Sequence, residues 1–280
     1  MRIDAHQHFW LLERGDYGWL TPSLTKLYRD FLPGDLEPEL QKAGMDRTVL
    51  VQAAPTVAET EYMLSLCEES PRIAGVVGWL DFEADDFEEQ FLRLRENPYF
   101  VGLRPMLQDL EDDRWILRPK VISALRILEK HGFPLDILIF PRHLPVIREL
   151  MDIVPNLRGV IDHLAKPYIK DGIFQPWAEQ IAELAKYPNL YCKLSGMVTE
   201  ADHEGWRSNP AQFAPYVRHV VSSFGYDRIM FGSDWPVCLL AASYAEVVSL
   251  LESSLPEDMT DEQRRLLFGG NAARFYGLKL

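Results

Sequence analysis

The stretch "RIDAHQHF" (residues 2–9) is the first of eight short apolar runs that recur along the 280-residue chain. The runs carry β-branched and aromatic residues in near-continuous series, which is typical of strands buried on both faces. They cover residues 2–9, 47–55, 73–82, 100–107, 134–140, 158–167, 189–197 and 228–237. The sequence therefore predicts a parallel sheet whose faces are covered by helices.

Amphipathic segments lie between these runs, with apolar residues at spacings of three and four. Examples are residues 57–70, 85–97, 119–132 and 174–187. Glycine in "KHGFP" and "FGYDR" marks points where a helix should end before the next strand. Eight such units in about 250 residues is the pattern of a (β/α)8 TIM barrel. An open doubly wound sheet is the main alternative, but no strand precedes a G-x-G-x-x-G motif or a P-loop. We therefore predict an α/β protein with one barrel domain over residues 1–280.

Composition narrows the classes of partner. The chain has 29 basic and 42 acidic residues, and a net charge of −13 repels nucleic-acid phosphates. No signal-peptide pattern occurs, and no apolar run approaches the roughly 18 residues that span a bilayer. Three widely spaced cysteines without C-x-x-C argue against a disulfide framework. We expect a cytoplasmic protein with a small-molecule partner, no nucleic acid and no membrane, either monomeric or homo-oligomeric.

Active sites of such barrels lie at the carboxyl ends of the strands. Polar side chains at a barrel mouth are costly unless they are used, so we take the residues that end each run as candidates. Asp136, in the fifth run, lies nearer the beginning of its strand. The candidates at the strand ends are His6, His8, Gln52, Trp79, Arg104, His163, Lys166, Lys193, Ser195 and Asp234.

The H-x-H pair of the first run is a candidate metal site. Because strand side chains alternate between faces, we expect Asp4, His6 and His8 to point the same way. Two neutral imidazoles on one face can bind zinc or a similar ion. Chance gives roughly 0.17 such pairs in a chain of this composition. The pair alone therefore does not distinguish a metal site from a histidine-rich beginning.

Asp234 and His163 are the candidate catalytic residues. Asp234 ends an apolar strand in "MFGSDWP", where a buried carboxylate needs a cation or hydrogen-bond donors. The alternative for Asp234 is a helix N-cap, and for His163 in "VIDHLAKP" it is a structural role. Three strands that direct imidazole or carboxylate groups to one point favour the catalytic interpretation.

Substrate-binding candidates surround this point. Arg104 can hold a carboxylate or polarise a carbonyl, with an ion pair to a neighbouring acid as the alternative. Lys166 and Lys193 are candidates for the same role or for capping the rim. Trp10 and Trp235 are candidates for the pocket wall, with core packing as an equal alternative for both.

The sequence leaves the roles of three further residues open. Trp79 is a wall candidate on the same terms as the other two tryptophans. Trp19 lies in the loop after the first strand and is a candidate for contact with substrate. His143, after the fifth strand, enters the site only if it reaches back towards the barrel mouth.

Several motifs together resemble the amidohydrolase superfamily, in particular its branch of TIM-barrel sugar-lactone hydrolases. They are the H-x-H pair, "IDHLAKP" (161–167), "YCKLSGM" (191–197), "FGSDWP" (231–236) and the closing "GGNAARFYGL" (269–278). The resemblance implies that His6, His8 and Asp234 are metal ligands and that His163 is the histidine of the sixth strand. It also implies hydrolysis of a sugar (aldono-) lactone to the free acid, with Asp234 as general base.

Arg104 departs from the family pattern, because binuclear members carry a bridging carboxylated lysine or a glutamate on or near the fourth strand. We therefore expect at most one divalent ion, with zinc as the first choice and a weakly held or dispensable ion as the alternative. Other functions kept open are decarboxylation of a semialdehyde or aromatic acid, a lactonase of muconolactone or pyrone-dicarboxylate type, and a non-catalytic binding protein.

Overall fold

The computed structural model describes residues 1–280. Its eight strands form one parallel sheet and follow one another in chain order. The strands are β1 (Ile3–Gln7), β2 (Arg47–Val51), β3 (Ile73–Gly78), β4 (Phe100–Leu103), β5 (Leu135–Ile137), β6 (Gly159–Ile161), β7 (Leu190–Leu194) and β8 (Ile229–Phe231). The first and last strands meet just beyond their ends, where the His8 amide donates to the Trp235 carbonyl at 2.7 Å and the Asp234 amide donates to the His6 carbonyl at 2.8 Å. The predicted (β/α)8 barrel is confirmed.

A helix follows every strand, and two short helices complete the chain. The helices are α1 (Pro33–Ala43), α2 (Val57–Glu69), α3 (Phe87–Arg95), α4 (Pro119–His131), α5 (Leu144–Ile153), α6 (Trp177–Leu184), α7 (Ala214–Phe224), α8 (Tyr244–Ser254), α9 (Asp261–Arg265) and α10 (Asn271–Tyr276). Helix α4 ends before Gly132, whose φ of 58° is left-handed, and α7 ends before Gly225. Both predicted helix ends are confirmed. No helix combines the length and the apolar character needed to cross a bilayer.

Apolar side chains fill the barrel interior beneath the strand ends. Seven of the strand residues in this inner cluster are Ile3, Ala5, Val49, Val51, Val77, Val101 and Val160. Helix α10 adds Ala272, Phe275 and Tyr276, which we call the barrel floor. They belong to the same buried cluster as Ile3, the first residue of β1, so the floor lies at the end where the strands begin.

Strand β1 is irregular, and the irregularity decides which of its side chains face the site. The β1–β2 register shifts between Asp4 and Gln7, which moves the following side chains to the other face. Asp4 faces outward, where it accepts hydrogen bonds from the Tyr244 hydroxyl at 3.0 Å and the Ser233 amide at 2.9 Å. His6 and His8 face inward. The prediction that Asp4 shares their face is therefore wrong.

Candidate active site

His6 lies at the centre of the polar groups at the barrel mouth. A Cβ at Gly232 would lie 2.6 Å from the His6 Cβ, so glycine is required where the segment just after β8 passes this residue. His6 Nε2 lies 3.2 Å from His8 Nε2 and 3.6 Å from Asp234 Oδ1. The side chain of His6 is fully buried, and that of His8 is 5% exposed. The H-x-H pair therefore converges with Asp234, as the sequence predicted.

His8 and Asp234 face each other across the junction of β1 and β8. His8 Nδ1 is 2.8 Å from the Val51 carbonyl, which fixes the proton on Nδ1 and leaves Nε2 free, 3.3 Å from Asp234 Oδ1. Asp234 has a left-handed φ of 57°, a costly conformation that is frequent at functional sites. No side chain caps the following short helix. The N-cap alternative for Asp234 is therefore excluded.

His163 reaches the same point through an unusual turn. Four consecutive residues after β6, His163 to Lys166, have φ between 53° and 58°. Each costs about 1 kcal/mol for an L-residue, so the surrounding structure must impose the turn. His163 Nδ1 lies 2.9 Å from Ser195 Oγ, and Nε2 lies 3.9 Å from Asp234 Oδ1. A Cβ on Gly196 would lie 2.5 Å from the His163 ring, so the segment just after β7 passes close to the imidazole.

A cavity of about 160 Å³ opens above these groups. An engineered cavity of about 150 Å³ holds benzene, so this volume suits one small ring. The lining combines charged groups on one side with apolar side chains on the other. The lining residues are His8, Trp19, Ala53, Arg104, Met106, Gln108, Asp109, Leu138, His163, Lys166, Asp234 and Val237.

Arg104 is held from below and presents its guanidinium to this cavity. Its Nε and Nη2 donate to Gln52 Oε1 at 3.1 and 2.8 Å, and its Nη1 donates to Asp162 Oδ2 at 3.3 Å. Arg104 is 3% exposed and lines the cavity wall. An ion pair and a contact with the cavity were alternatives for Arg104 from the sequence alone, and both are present.

Lys193 lies beneath the cavity and is completely buried. Its ammonium donates to Asp136 Oδ2 and lies 3.2 Å from both Asp162 Oδ1 and His6 Nδ1. The Tyr276 hydroxyl of the barrel floor donates to Asp136 Oδ1 at 2.7 Å. Lys193 therefore contacts His6 from below, and it does not line the cavity as a rim lysine would.

Burial and neighbouring charges set the protonation states. Burial lowers the pKa of His163 to about 4 and that of His6 well below its usual 6.5, so both imidazoles are neutral at pH 7. Burial alone would raise the pKa of Asp234, but the positive charge that the surrounding histidines, His163 first, carry when protonated holds it below its usual range. At pH 7 Asp234 is therefore a carboxylate beside the neutral rings of His163 and His6.

This donor set fits a divalent cation. Four donor atoms, the Nε2 atoms of His6, His8 and His163 and the Oδ1 of Asp234, lie 3.2 to 3.9 Å apart in the pairs that make contact. Ligands about 2.1 Å from a tetrahedral ion are about 3.4 Å from one another. The opposite nitrogens of His8 and His163 have their own hydrogen-bond partners, as ligating histidines usually do. His163 thus joins the three predicted ligands in the candidate metal site.

Two of the predicted wall residues lie behind the cavity. Trp10 is fully buried, donates Nε1–H to the Arg29 carbonyl at 2.8 Å and packs edge-to-face on Phe31. Trp235 packs edge-to-face on the same ring at 5.2 Å. Neither tryptophan lines the cavity. Their contacts are those of core packing, the alternative that the sequence left open.

Trp19 lines the cavity, as the sequence suggested. It also lines an adjoining outer hollow of about 580 Å³, where Trp79 lies. His143 does not reach back to the site, because its Nδ1 accepts from the Phe140 amide at 3.0 Å and its Nε2 lies 2.9 Å from Asp113 Oδ1.

Sequence reasoning missed Asp162 and most of the apolar wall. Asp162 precedes His163, so strand alternation would place the two side chains on opposite faces. The left-handed turn brings both inward, and Asp162 contacts Arg104, Lys193 and His6. Met106, Leu138 and the other wall residues come from loops, whose positions carry no periodic signal.

A (β/α)8 barrel whose mouth gathers three imidazoles and one carboxylate around a small cavity has the architecture of a hydrolase, with a donor set that fits a divalent cation. The chain belongs to the amidohydrolase family, whose family model matches residues 3–278.

Named relatives cover nearly the whole chain. An L-fucono-1,5-lactonase of Burkholderia ambifaria is 42% identical, over 98% of this chain and 95% of its own length. One of Burkholderia multivorans is 37% identical, over 99% and 96%. A crystal structure of an amidohydrolase from Burkholderia multivorans with bound zinc, 36% identical, superposes with a TM-score of 0.95 over all of both chains.

Proposed function

We propose that this protein hydrolyses a sugar (aldono-) lactone to the open acid with the help of one divalent cation, zinc. The observation that carries the proposal is the convergence of His6, His8, His163 and Asp234 beneath a cavity that suits one sugar ring. Relatives 37% and 42% identical over almost the entire chain are L-fucono-1,5-lactonases, which supports the same reaction here.

The cation would be held by His6, His8 and Asp234, with His163 as a fourth ligand or a neighbour. A bound zinc supplies Lewis acidity, which polarises the lactone carbonyl and lowers the pKa of a water molecule. Zinc-bound crystals of a relative 36% identical support the choice of metal.

Asp234 is the general base. Its carboxylate is ionised in the folded protein, so it can take a proton from water as the water oxygen attacks the lactone carbonyl carbon. When the bond between this carbon and the ring oxygen breaks, the departing oxygen takes that proton from Asp234. The products are a free hydroxyl and a carboxylic acid on one open chain.

Two cations face the negative charge that forms on the carbonyl oxygen. Arg104 and Lys166 both line the cavity, and the guanidinium is held in place by Gln52 and Asp162. Donors that are fixed before the reaction stabilise such an oxyanion without reorganisation. His163 Nε2 lies on the same side, next to Asp234.

The apolar wall favours a deoxy sugar. Met106, Leu138 and Val237 line the cavity together with the charged groups. A methyl group buried against such a wall gains about 0.8 kcal/mol, whereas a hydroxyl would need a partner there. A 6-deoxy lactone such as L-fucono-1,5-lactone therefore suits the cavity better than its 6-hydroxy counterpart.

A panel of stereochemically diverse aldonolactones tests the proposal. Acid release should be fastest for a 6-deoxy lactone, without release of carbon dioxide, and metal analysis of the same sample should find about one zinc per chain. Carbon dioxide from an aromatic acid or semialdehyde, with no lactone hydrolysis, would instead favour the decarboxylase alternative.

The cytoplasm remains our proposed location. The three cysteines, Cys67, Cys192 and Cys238, are free and buried. Free thiols are expected in a reducing compartment. Fractionation of cells that express the tagged protein would test this.

A further inference from the structure

Each of the two ring nitrogens of His6 faces both a hydrogen-bond donor and a hydrogen-bond acceptor. At Nδ1, the donor is Lys193 Nζ at 3.2 Å and the acceptor is Asp162 Oδ1 at 3.4 Å. All three side chains are fully buried, so bulk solvent does not reach these positions. A neutral imidazole carries one proton, and Nδ1 can therefore satisfy only one of its two neighbours at a time.

The same conflict exists at Nε2. The donor is Arg104 Nη1 at 3.4 Å, and the acceptor is His8 Nε2 at 3.2 Å. The proton on His8 lies on Nδ1, which faces the Val51 carbonyl, so His8 Nε2 can accept. Asp234 Oδ1, at 3.6 Å, is a second acceptor on this side.

Two tautomers of His6 follow from these neighbours. With the proton on Nε2, the ring accepts from Lys193 and donates to His8, which uses the two 3.2 Å contacts. With the proton on Nδ1, the ring donates to Asp162 and leaves a bare Nε2 that can accept from Arg104 or ligate a cation. Asp162 Oδ1 is buried and accepts no hydrogen bond of good geometry, although the Lys193 ammonium forms an ion pair with it at 3.2 Å. The second tautomer would give this acceptor a hydrogen bond.

The Lys193 ammonium also occupies the space between the members of a second cluster of potential metal ligands. His6, Asp136 and Asp162 offer donor atoms within 4.8 Å of one another. The Lys193 ammonium contacts all three. The barrel thus contains its own fixed cation beneath the candidate metal site, where a second ion would otherwise compete for His6.

We propose that Lys193 and Asp162 are positioning residues that switch His6 between two tautomers according to metal occupancy. Without metal, Lys193 donates to Nδ1 and the proton resides on Nε2. When a divalent cation binds Nε2, that proton leaves to solvent and one is taken up at Nδ1, which then donates to Asp162. His6 exchanges one proton for another, so its net charge is unchanged. The metal-bound half of this switch rests on the proposed metal site, whereas the metal-free half does not.

Nitrogen-15 NMR of the histidine-labelled protein tests the switch directly, because protonated and bare ring nitrogens have well-separated shifts. The chain has seven histidines, and loss of one signal set in His6→Asn assigns the ring. We expect Nε2–H in metal-free protein and Nδ1–H after one equivalent of zinc. The same tautomer in both samples would overturn the proposal.

Two variants separate the positioning roles. Lys193→Met removes the donor, so the metal-free ring should already carry its proton on Nδ1. Asp162→Asn removes the anionic acceptor and should weaken zinc binding about 10- to 100-fold, the usual effect of losing a partner behind a ligating histidine. Lys166→Met is the matched control, because it removes a cation from the cavity without touching His6, and its His6 tautomer should match wild type. Nε2–H retained in metal-free Lys193→Met would contradict the assignment.

The results of these experiments can refute the tautomer switch and the proposed lactonase activity separately. If zinc binds and lactone hydrolysis proceeds with no change of tautomer, the switch is wrong and the lactonase stands. If no cation binds but metal-free His6 carries its proton on Nε2, the metal site is wrong and the role of Lys193 stands. The wild-type spectra decide the main point even if a variant fails to fold.

Discussion

The two ends of the barrel are built from the same strands and differ in almost every physical respect. The floor is mostly apolar, with Phe275 and Ala272 of α10 in one buried cluster with Ile3. The mouth gathers buried ionisable groups and left-handed residues such as Asp234 and His163. Apolar packing stabilises the fold, whereas buried charge and backbone strain cost stability and persist where they serve a site.

The boundary between the two ends lies within single strands. In β1, Ile3 and Ala5 belong to the inner cluster, while His6 belongs to the site. In β7, Lys193 contacts Asp136, which in turn binds Tyr276 of the floor. Substitutions at the mouth should therefore change activity more than stability, and substitutions at the floor should do the reverse.

The largest effect is expected at Asp234. Asp234→Asn removes the proposed general base and should lower kcat about 1,000-fold, which corresponds to about 4 kcal/mol. Asparagine tolerates the left-handed φ at this position, so the melting temperature should change little. Lactone hydrolysis and thermal unfolding of the same preparation provide the measurement. Asp85→Asn, at a side chain that is 93% exposed, is the matched control. Near wild-type kcat in Asp234→Asn would remove this residue from the mechanism.

The converse effect is expected at the floor. Phe275 is 1% exposed and its ring lies 4.8 Å from that of Tyr191. Phe275→Ala should reduce the free energy of unfolding by about 4 kcal/mol, because it leaves a cavity in the inner cluster. Activity per folded molecule should stay at the wild-type level, and Phe275→Leu should cost less. Denaturant unfolding measures the free energy of unfolding, and the rate of lactone hydrolysis divided by the concentration of folded enzyme measures the activity per folded molecule. A variant that stays fully stable but loses activity would contradict the division between floor and mouth.

The floor and the barrel could be predicted from the sequence because they depend on repeated patterns. Eight apolar runs and the glycines after α4 and α7 identified the strands and two helix ends. Convergence of His6, His8, His163 and Asp234 followed from their positions at strand ends, and the structure brings these groups together.

The details of the mouth could not be predicted, because they depart from those patterns. The register shift in β1 turns Asp4 outward, and the left-handed turn after β6 brings Asp162 inward beside Arg104. Both departures lie where strands pack closely, as Gly232 does against His6. Such contacts join residues far apart in the chain, so a periodic pattern does not reveal them.

The loss of stability at low pH should depend on a residue of the mouth, His163, and not on the floor. Burial lowers the pKa of His163 from 6.5 to about 4, so the folded protein resists a proton that the unfolded chain binds. Stability is therefore lost as pH falls from about 6.5 to 4, by about 3 kcal/mol from this group. Denaturant unfolding of metal-free protein at pH 7 and pH 4.5 measures the loss. His163→Asn should reduce it, and Phe275→Leu should leave it as in wild type. An equal loss in His163→Asn and wild type would show that other groups cause it.

The smallest effect is expected at Lys166, where the cavity meets solvent. Its ammonium lies 5.2 Å from the centre of the Phe140 ring, and no acid holds it as Asp162 holds Arg104. Partial exposure allows water to screen its charge, so Lys166→Met should lower kcat/KM only about tenfold, or about 1.4 kcal/mol. Lys166→Arg keeps the charge and should recover most of the loss. Added salt should narrow the gap between wild type and Lys166→Met, because screening weakens the long-range attraction that the methionine lacks. If the difference in kcat/KM does not depend on salt, Lys166 instead makes a direct hydrogen bond to substrate. The contrast between Arg104, which Asp162 holds in place, and a solvent-screened Lys166 would then be wrong.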